Sequence, residues 1–227
     1  MRLYVVVATL VFTLMTDERL HAERIPDTDF VQTSPAAQGV IRQYILDPRG
    51  EVQGLLLSDG AQVAFTSRLQ RDIVTAMKIG TPVRIEGRRH RHFPLIEPDI
   101  IVNTDSGATI QVPSFLEGPL PPGNETLSVQ QMRAEGTIDG FLYERSGRVS
   151  GLVLKNGTQI SLPPDVNDGF RQSLHLGDRI VAEGNGTENE YGRAMEPIVM
   201  GFPGGPLTPL DYGTDRLEKP RSEYTVP

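Results

Sequence analysis

Residues 50–65 read GEVQGLLLSDGAQVAF, and residues 147–162 read GRVSGLVLKNGTQISL. The second stretch repeats the first 97 residues later, with no gap. Gly50, Val52, Gly54, Leu55, Leu57, Gly60 and Gln62 return as Gly147, Val149, Gly151, Leu152, Leu154, Gly157 and Gln159. Each stretch is an apolar run, a turn signal (Asp59-Gly60 or Asn156-Gly157) and a second run alternating in polarity. That pattern predicts a β-hairpin, with the two positive-φ residues of a type I′ turn at the Asp-Gly and Asn-Gly pairs. In the second run Val63 and Phe65 share one face and Gln62 and Ala64 the other. Ile160 and Leu162 face Gln159 and Ser161 in the same way, so one face is expected in the core and the other in water.

The correspondence extends outward in both directions. Gly39, Ile41, Gly80, Glu86 and Gly87 recur as Gly136, Ile138, Gly177, Glu183 and Gly184. Solenoid units run about 20–50 residues, so a repeat of this length is a whole small domain. Residues 39–46 (GVIRQYIL) read as a strand ending at the turn Asp47-Pro48-Arg49-Gly50. After the hairpin the apolar period changes to four, with Leu69, Ile73 and Met77 matched by Val166, Phe170 and Leu174. This is the stripe of a short amphipathic helix. Ser67 is the expected N-cap of the first helix, and Pro163-Pro164-Asp165 opens the second. Fourth strands follow at 81–86 and 178–183, with Val83, Ile85, Ile180 and Ala182 inward. Fifth strands lie near 94–102 and 193–200, and Glu97-Pro98 and Glu196-Pro197 are expected to place them at a sheet edge.

The fold class is therefore all-β with one short helix per domain, arranged as two tandem five-stranded Greek-key barrels. The order strand, strand, strand, helix, strand, strand is that of the OB-fold. GTPVRIEG and GDRIVAEG resemble the fourth strand of that family. GEVQGLLLSDGAQV and GRVSGLVLKNGTQI also resemble uncharacterised bacterial exported proteins with a pattern close to G-x-V-x-G-L-L-L-x-D-G-T-x-V-x-F-P-P-H. The resemblance spans residues 39–104 and 136–200. The second copy keeps the two prolines, the first has Thr66-Ser67 there, and neither has the histidine. It implies the fold and an exported setting, and brings no activity with it.

Arg2 followed by the mostly apolar Leu3–Met15, with small Ala22, predicts a signal peptide over 1–22 and hence a periplasmic or secreted protein. Thirteen residues are too few to span a bilayer. Residues 23–37 then form an N-terminal extension, 38–104 and 134–202 the two barrels, 105–133 a linker rich in Pro and Gly, and 203–227 a tail. The chain has no cysteine, so no disulfide or thiol chemistry is available.

OB-folds bind with the face of strands two and three and with the loops after strands one and four. In the first copy the fourth strand and its following loop carry Arg84, Arg88, Arg89, His90, Arg91 and His92. The second copy has NGTENEYGR at the equivalent loop. Residues 38–104 hold nine basic and seven acidic side chains, whereas 134–202 hold six and ten. With Tyr44 on the first strand, these six residues are the expected ligand site, because arginine forks suit phosphate, sulfate or carboxylate. A non-enzymatic module binding an anionic ligand (a glycan, a lipid headgroup or an acidic protein) is the first functional expectation. The second is a protein-interaction scaffold of the cell envelope, and the third is single-stranded nucleic-acid binding. The net charge of −7 and the absence of tryptophan disfavour the third. His90 and His92, two apart, could share a metal ion with Glu86, Glu97 or Asp99, but three neighbouring arginines oppose a cation. No nucleophile elbow, zinc-protease helix, P-loop or cofactor fingerprint occurs, so no enzyme and no cofactor is expected.

Overall fold

The computed structural model describes residues 29–113, 129–162 and 171–210. The first unit contains β1 (Phe30–Leu46), β2 (Val52–Leu57), β3 (Gln62–Ala64), a 3-10 turn (Ser67–Leu69), α1 (Gln70–Ala76), β4 (Pro82–His90), β5 (Leu95–Asn103) and β6 (Thr109–Gln111). The second contains β7 (Gln130–Tyr143), β8 (Val149–Leu154), β9 (Gln159–Ser161), β10 (Arg179–Asn189), β11 (Gly192–Gly201) and β12 (Thr208–Pro209). In the first unit β1 pairs with both β2 and β4, and a parallel β3–β5 pairing closes the ring in the order β1-β2-β3-β5-β4. The second closes identically as β7-β8-β9-β11-β10. The chain is thus two closed five-stranded barrels in tandem, of the OB-like kind.

Closure abolishes free edges and sends one side chain in two to the interior. Val52, Leu55, Leu57, Val63, Val83, Ile85 and Ile101 fill the first barrel, and Leu69, Ile73 and Met77 of the helical segment cap its end. Ile138, Leu152, Leu154, Ile160, Ile180 and Ala182 fill the second, with Leu174 buried beside them. Val166, Phe170 and the Pro163-Pro164-Asp165 start lie outside the described residues.

Several local expectations change. The hairpins carry three loop residues rather than two: Gly60 N–H donates to Leu57 O and Leu57 N–H to Ala61 O, as Gly157 and Leu154 do in the second copy. Gly60 (φ +87°) and Gly157 (φ +84°) take the left-handed position that ends such loops. Asp59 and Asn156 instead turn their side-chain oxygens onto the N–H groups of Ala61 and Thr158. Ser67 begins the 3-10 turn and Thr66 occupies the cap position, with no side-chain cap bond.

Pro98 and Pro197 are not at an edge. β5 pairs with β4, β3 and β6, and Pro98 lies opposite Gly87 at a register shift, as Pro197 lies opposite Gly184. A bulge spares the proline a ladder bond it cannot donate. The glycines opposite are required, because a Cβ on either would overlap the backbone of Glu97 or Glu196.

Strand β1 starts at Phe30, inside the segment read as an N-terminal extension. Short strands β6 and β12 fall inside the segments read as linker and tail, and they pair with β5 and β11.

Candidate functional site

Strand β4 and the hairpin after it gather five of the expected residues at one end of the first barrel. Arg88 lies directly across the ladder from Glu97 and its guanidinium pairs with that carboxylate, while its Cζ stands 5.4 Å from the Phe30 ring centre. Arg89 donates to Ala36 O at 3.4 Å. His90 is only 4% exposed: its ring meets Phe30 edge-on at 5.0 Å and Phe93 at 4.9 Å. The His92 N–H donates to His90 Nδ1 at 3.2 Å, which folds the hairpin tip. Arg91 and His92 are exposed. Arg84 is further along β4, exposed, and ion-paired with Glu86 at 3.3 Å. Tyr44 stands apart in the core, where its hydroxyl donates to Met77 O at 3.1 Å. Burial, with the Tyr191 phenol second, raises the Tyr44 pKa. Phe30, which organises this cluster, lies outside the repeated segment and had no counterpart to mark it.

The larger finding is what faces β3. Gln62, expected in water, is 2% exposed, and so is its copy Gln159. Gln62 Nε2 donates to Phe141 O at 2.6 Å, and Tyr143 N–H donates to Gln62 Oε1 at 3.0 Å. Gln159 Nε2 donates to Tyr44 O at 2.8 Å, and Leu46 N–H donates to Gln159 Oε1 at 2.9 Å. Phe141 and Tyr143 lie 97 residues after Tyr44 and Leu46, so the two barrels meet across a pseudo-two-fold axis. The backbone groups are available because β1 and β7 each shift register at this point, between Ile45 and Leu46 and between Leu142 and Tyr143.

The rest of the contact obeys the same symmetry. Ile45, Leu56, Leu142 and Val153, two equivalent pairs, form a separate buried cluster between the barrels. Arg42 and Asp139, at equivalent positions, form an ion pair of 2.9 Å. Each barrel's β4–β5-type hairpin also clasps the other's first turn. Asn189 Nδ2 donates to Gly50 O at 3.0 Å, and Phe93 packs on Tyr143 at 5.0 Å, against Gly147. Burial raises the Tyr143 pKa. Arg145 crosses the junction to Glu97, meeting Oε1 as an ion pair rather than an aligned hydrogen bond.

These are the strands and loops that OB-like barrels usually offer to a ligand: the second and third strands, the first turn, and the loop after strand four. Here each barrel offers them to the other. Among the described residues, no group of three or more His, Asp or Glu is placed to hold a metal ion. No described helix is long and apolar enough to cross a membrane. Comparison with known proteins returns no matching family, no matching curated protein and no matching solved structure.

Proposed function

We propose that this chain is a non-enzymatic interaction scaffold of the cell envelope, a double barrel that docks protein partners through its outer turns. The observation that carries this reading is the mutual burial of the two faces through Gln62 and Gln159. A face already satisfied by the opposite barrel has no hydrogen-bonding capacity left for a ligand. Outward contact then falls to residues the pairing leaves exposed. Ile79 and Leu176, 97 residues apart, stand exposed at the same turn of each barrel. The exported setting rests on the apolar N-terminal stretch and on the resemblance of the repeated hairpins to exported bacterial proteins.

The test compares three forms of the chain against a purified envelope partner: wild type, Ile79→Asp/Leu176→Asp, and Arg88→Glu/Arg89→Glu/Arg91→Glu. The scaffold reading expects the aspartate pair to lose the partner and the glutamate triple to keep it. The opposite pattern refutes it.

A second reading, an anion-binding first barrel, is favoured by the exposure of Arg89, Arg91 and His92 on one hairpin. It expects binding to an acidic polysaccharide, anionic vesicles or single-stranded DNA that weakens with salt and vanishes in the glutamate triple. Background binding to all three removes it.

A further inference from the structure

Arg42 and Asp139 occupy equivalent positions, 97 residues apart, and meet each other at 2.9 Å. A residue that touches its own counterpart straddles the pseudo-two-fold axis. The face around that axis is self-complementary. The first barrel carries both halves of the glutamine contact: the Gln62 amide, and the Tyr44 carbonyl and Leu46 N–H that receive Gln159. Two first barrels set about a true two-fold axis would therefore satisfy each other's Gln62, as two second barrels would their Gln159. The apolar cluster differs between the halves by one methylene, Leu56 against Val153, with Ile45 and Leu142 equal in size. Hydrogen bonding leaves the partner undecided, and shape decides it only through that methylene.

Charge separates the alternatives. Paired first barrels would set Arg42 against Arg42, and paired second barrels Asp139 against Asp139, at a place partly shielded from water. Only the mixed pairing brings opposite signs together. Glu97 adds to the same choice, because Arg145 of the second barrel reaches it and the first barrel has Pro48 at the equivalent position.

We propose that the face between the barrels fits a second copy of this chain, and that Arg42 and Asp139 set which barrel it takes. A first barrel pairs with a second barrel, of its own copy or of another, and not with its own kind. In the wild type the covalent connection holds the pairing within one chain, at an effective concentration of about 1 mM. The fifteen residues 114–128 of that connection lie outside the described set and reach at most about 50 Å. Two barrels of one chain are thus free to serve two partners once their own match is removed.

The experiment uses two full-length variants. Asp139→Arg has arginine on both faces and Arg42→Asp has aspartate on both, so within either chain the barrels repel. When the two are mixed, each first barrel finds the opposite charge on the other variant's second barrel, and both junctions keep Arg145 on Glu97. Turning repulsion into attraction is worth about fivefold per junction and about 25-fold for two, which against about 1 mM gives a dissociation constant of about 40 µM. Native mass spectrometry and light scattering at several times that concentration are expected to show a 1:1 heterodimer in the mixture. It is expected to be roughly tenfold or more tighter than self-association of either variant or pairing of either with wild type. Where one variant folds poorly, Asp139→Lys or Arg42→Glu reverses the same charge and carries the same expectation. Folded variants that stay monomeric on mixing overturn the proposal. So does self-association of either variant, or its pairing with wild type, as tight as the mixture, because charge would then select nothing.

Discussion

Replacing Gln62 by alanine tests the pseudo-symmetric contact where it is most dependent on one side chain. The amide donates to Phe141 O and accepts from Tyr143 N–H, and it is 2% exposed. Each bond is worth about 0.5–1.5 kcal/mol net, and each buried group left unpaired costs about 1–3 kcal/mol. Partial hydration of the gap offsets some of this, so we expect a loss of about 2–4 kcal/mol. For a chain of this size each kcal/mol lowers the melting temperature by about 2–4 °C, which predicts a drop of about 4–16 °C. Urea unfolding gives the free energy directly, and its slope reports whether the native state has become less compact. Symmetry adds a stricter demand: Gln159→Ala should cost the same within about 0.5 kcal/mol, since its two bonds to Tyr44 O and Leu46 N–H are equivalent. A Gln62→Ala variant within about 0.5 kcal/mol of wild type would mean that the barrels do not hold each other through this residue.

Three further outcomes follow from the same contact. Gly147→Ala should destabilise far more than Gly157→Ala in urea unfolding: both have positive φ, but only at Gly147 would the new Cβ overlap the Phe93 ring. The second should cost about 1 kcal/mol, and the first clearly more. Arg42→Asp and Asp139→Arg should each cost up to about 1 kcal/mol, the pair being only partly shielded from water. The double exchange should restore stability, because the axis makes the two positions interchangeable. Burial raises the pKa of Tyr44, so its contribution is complete below the unfolded value near pH 10 and is lost as pH rises through the higher folded value. Melting temperatures taken from pH 9 to 12 should therefore fall less steeply in Tyr44→Phe than in wild type.

The arginines of the β4 hairpin show how far charge can be read from a linear sequence. Three arginines and two histidines within a short loop read as an open anion site, because sequence spacing records which charges are neighbours along the chain. The partners of Arg88 come from elsewhere: Glu97 from the next strand and Phe30 from the start of β1. His90 is likewise covered by Phe30 from the start of β1, together with Phe93 of its own hairpin. Tyr44 alternates inward on β1, and its period alone could not say whether inward meant core or binding face.

What the chain's own sequence determined is local. Gly60 and Gly157 need a backbone conformation that other residues resist, the alternation of Val63 and Ile160 points one face inward, and the four-residue spacing of Leu69, Ile73 and Met77 makes a helix. Those constraints act within a few residues and are written twice, so the barrels and their order could be read from the page. Tertiary structure alone decided what covers the second face. Alternation divides a strand into two sides, and only the arrival of the opposite barrel turned the side bearing Gln62 from a solvated surface into the axis of the molecule. The bonds that do this join residues about 80 to 115 positions apart. No local propensity encodes such a pairing, because its free energy exists only after both barrels have closed.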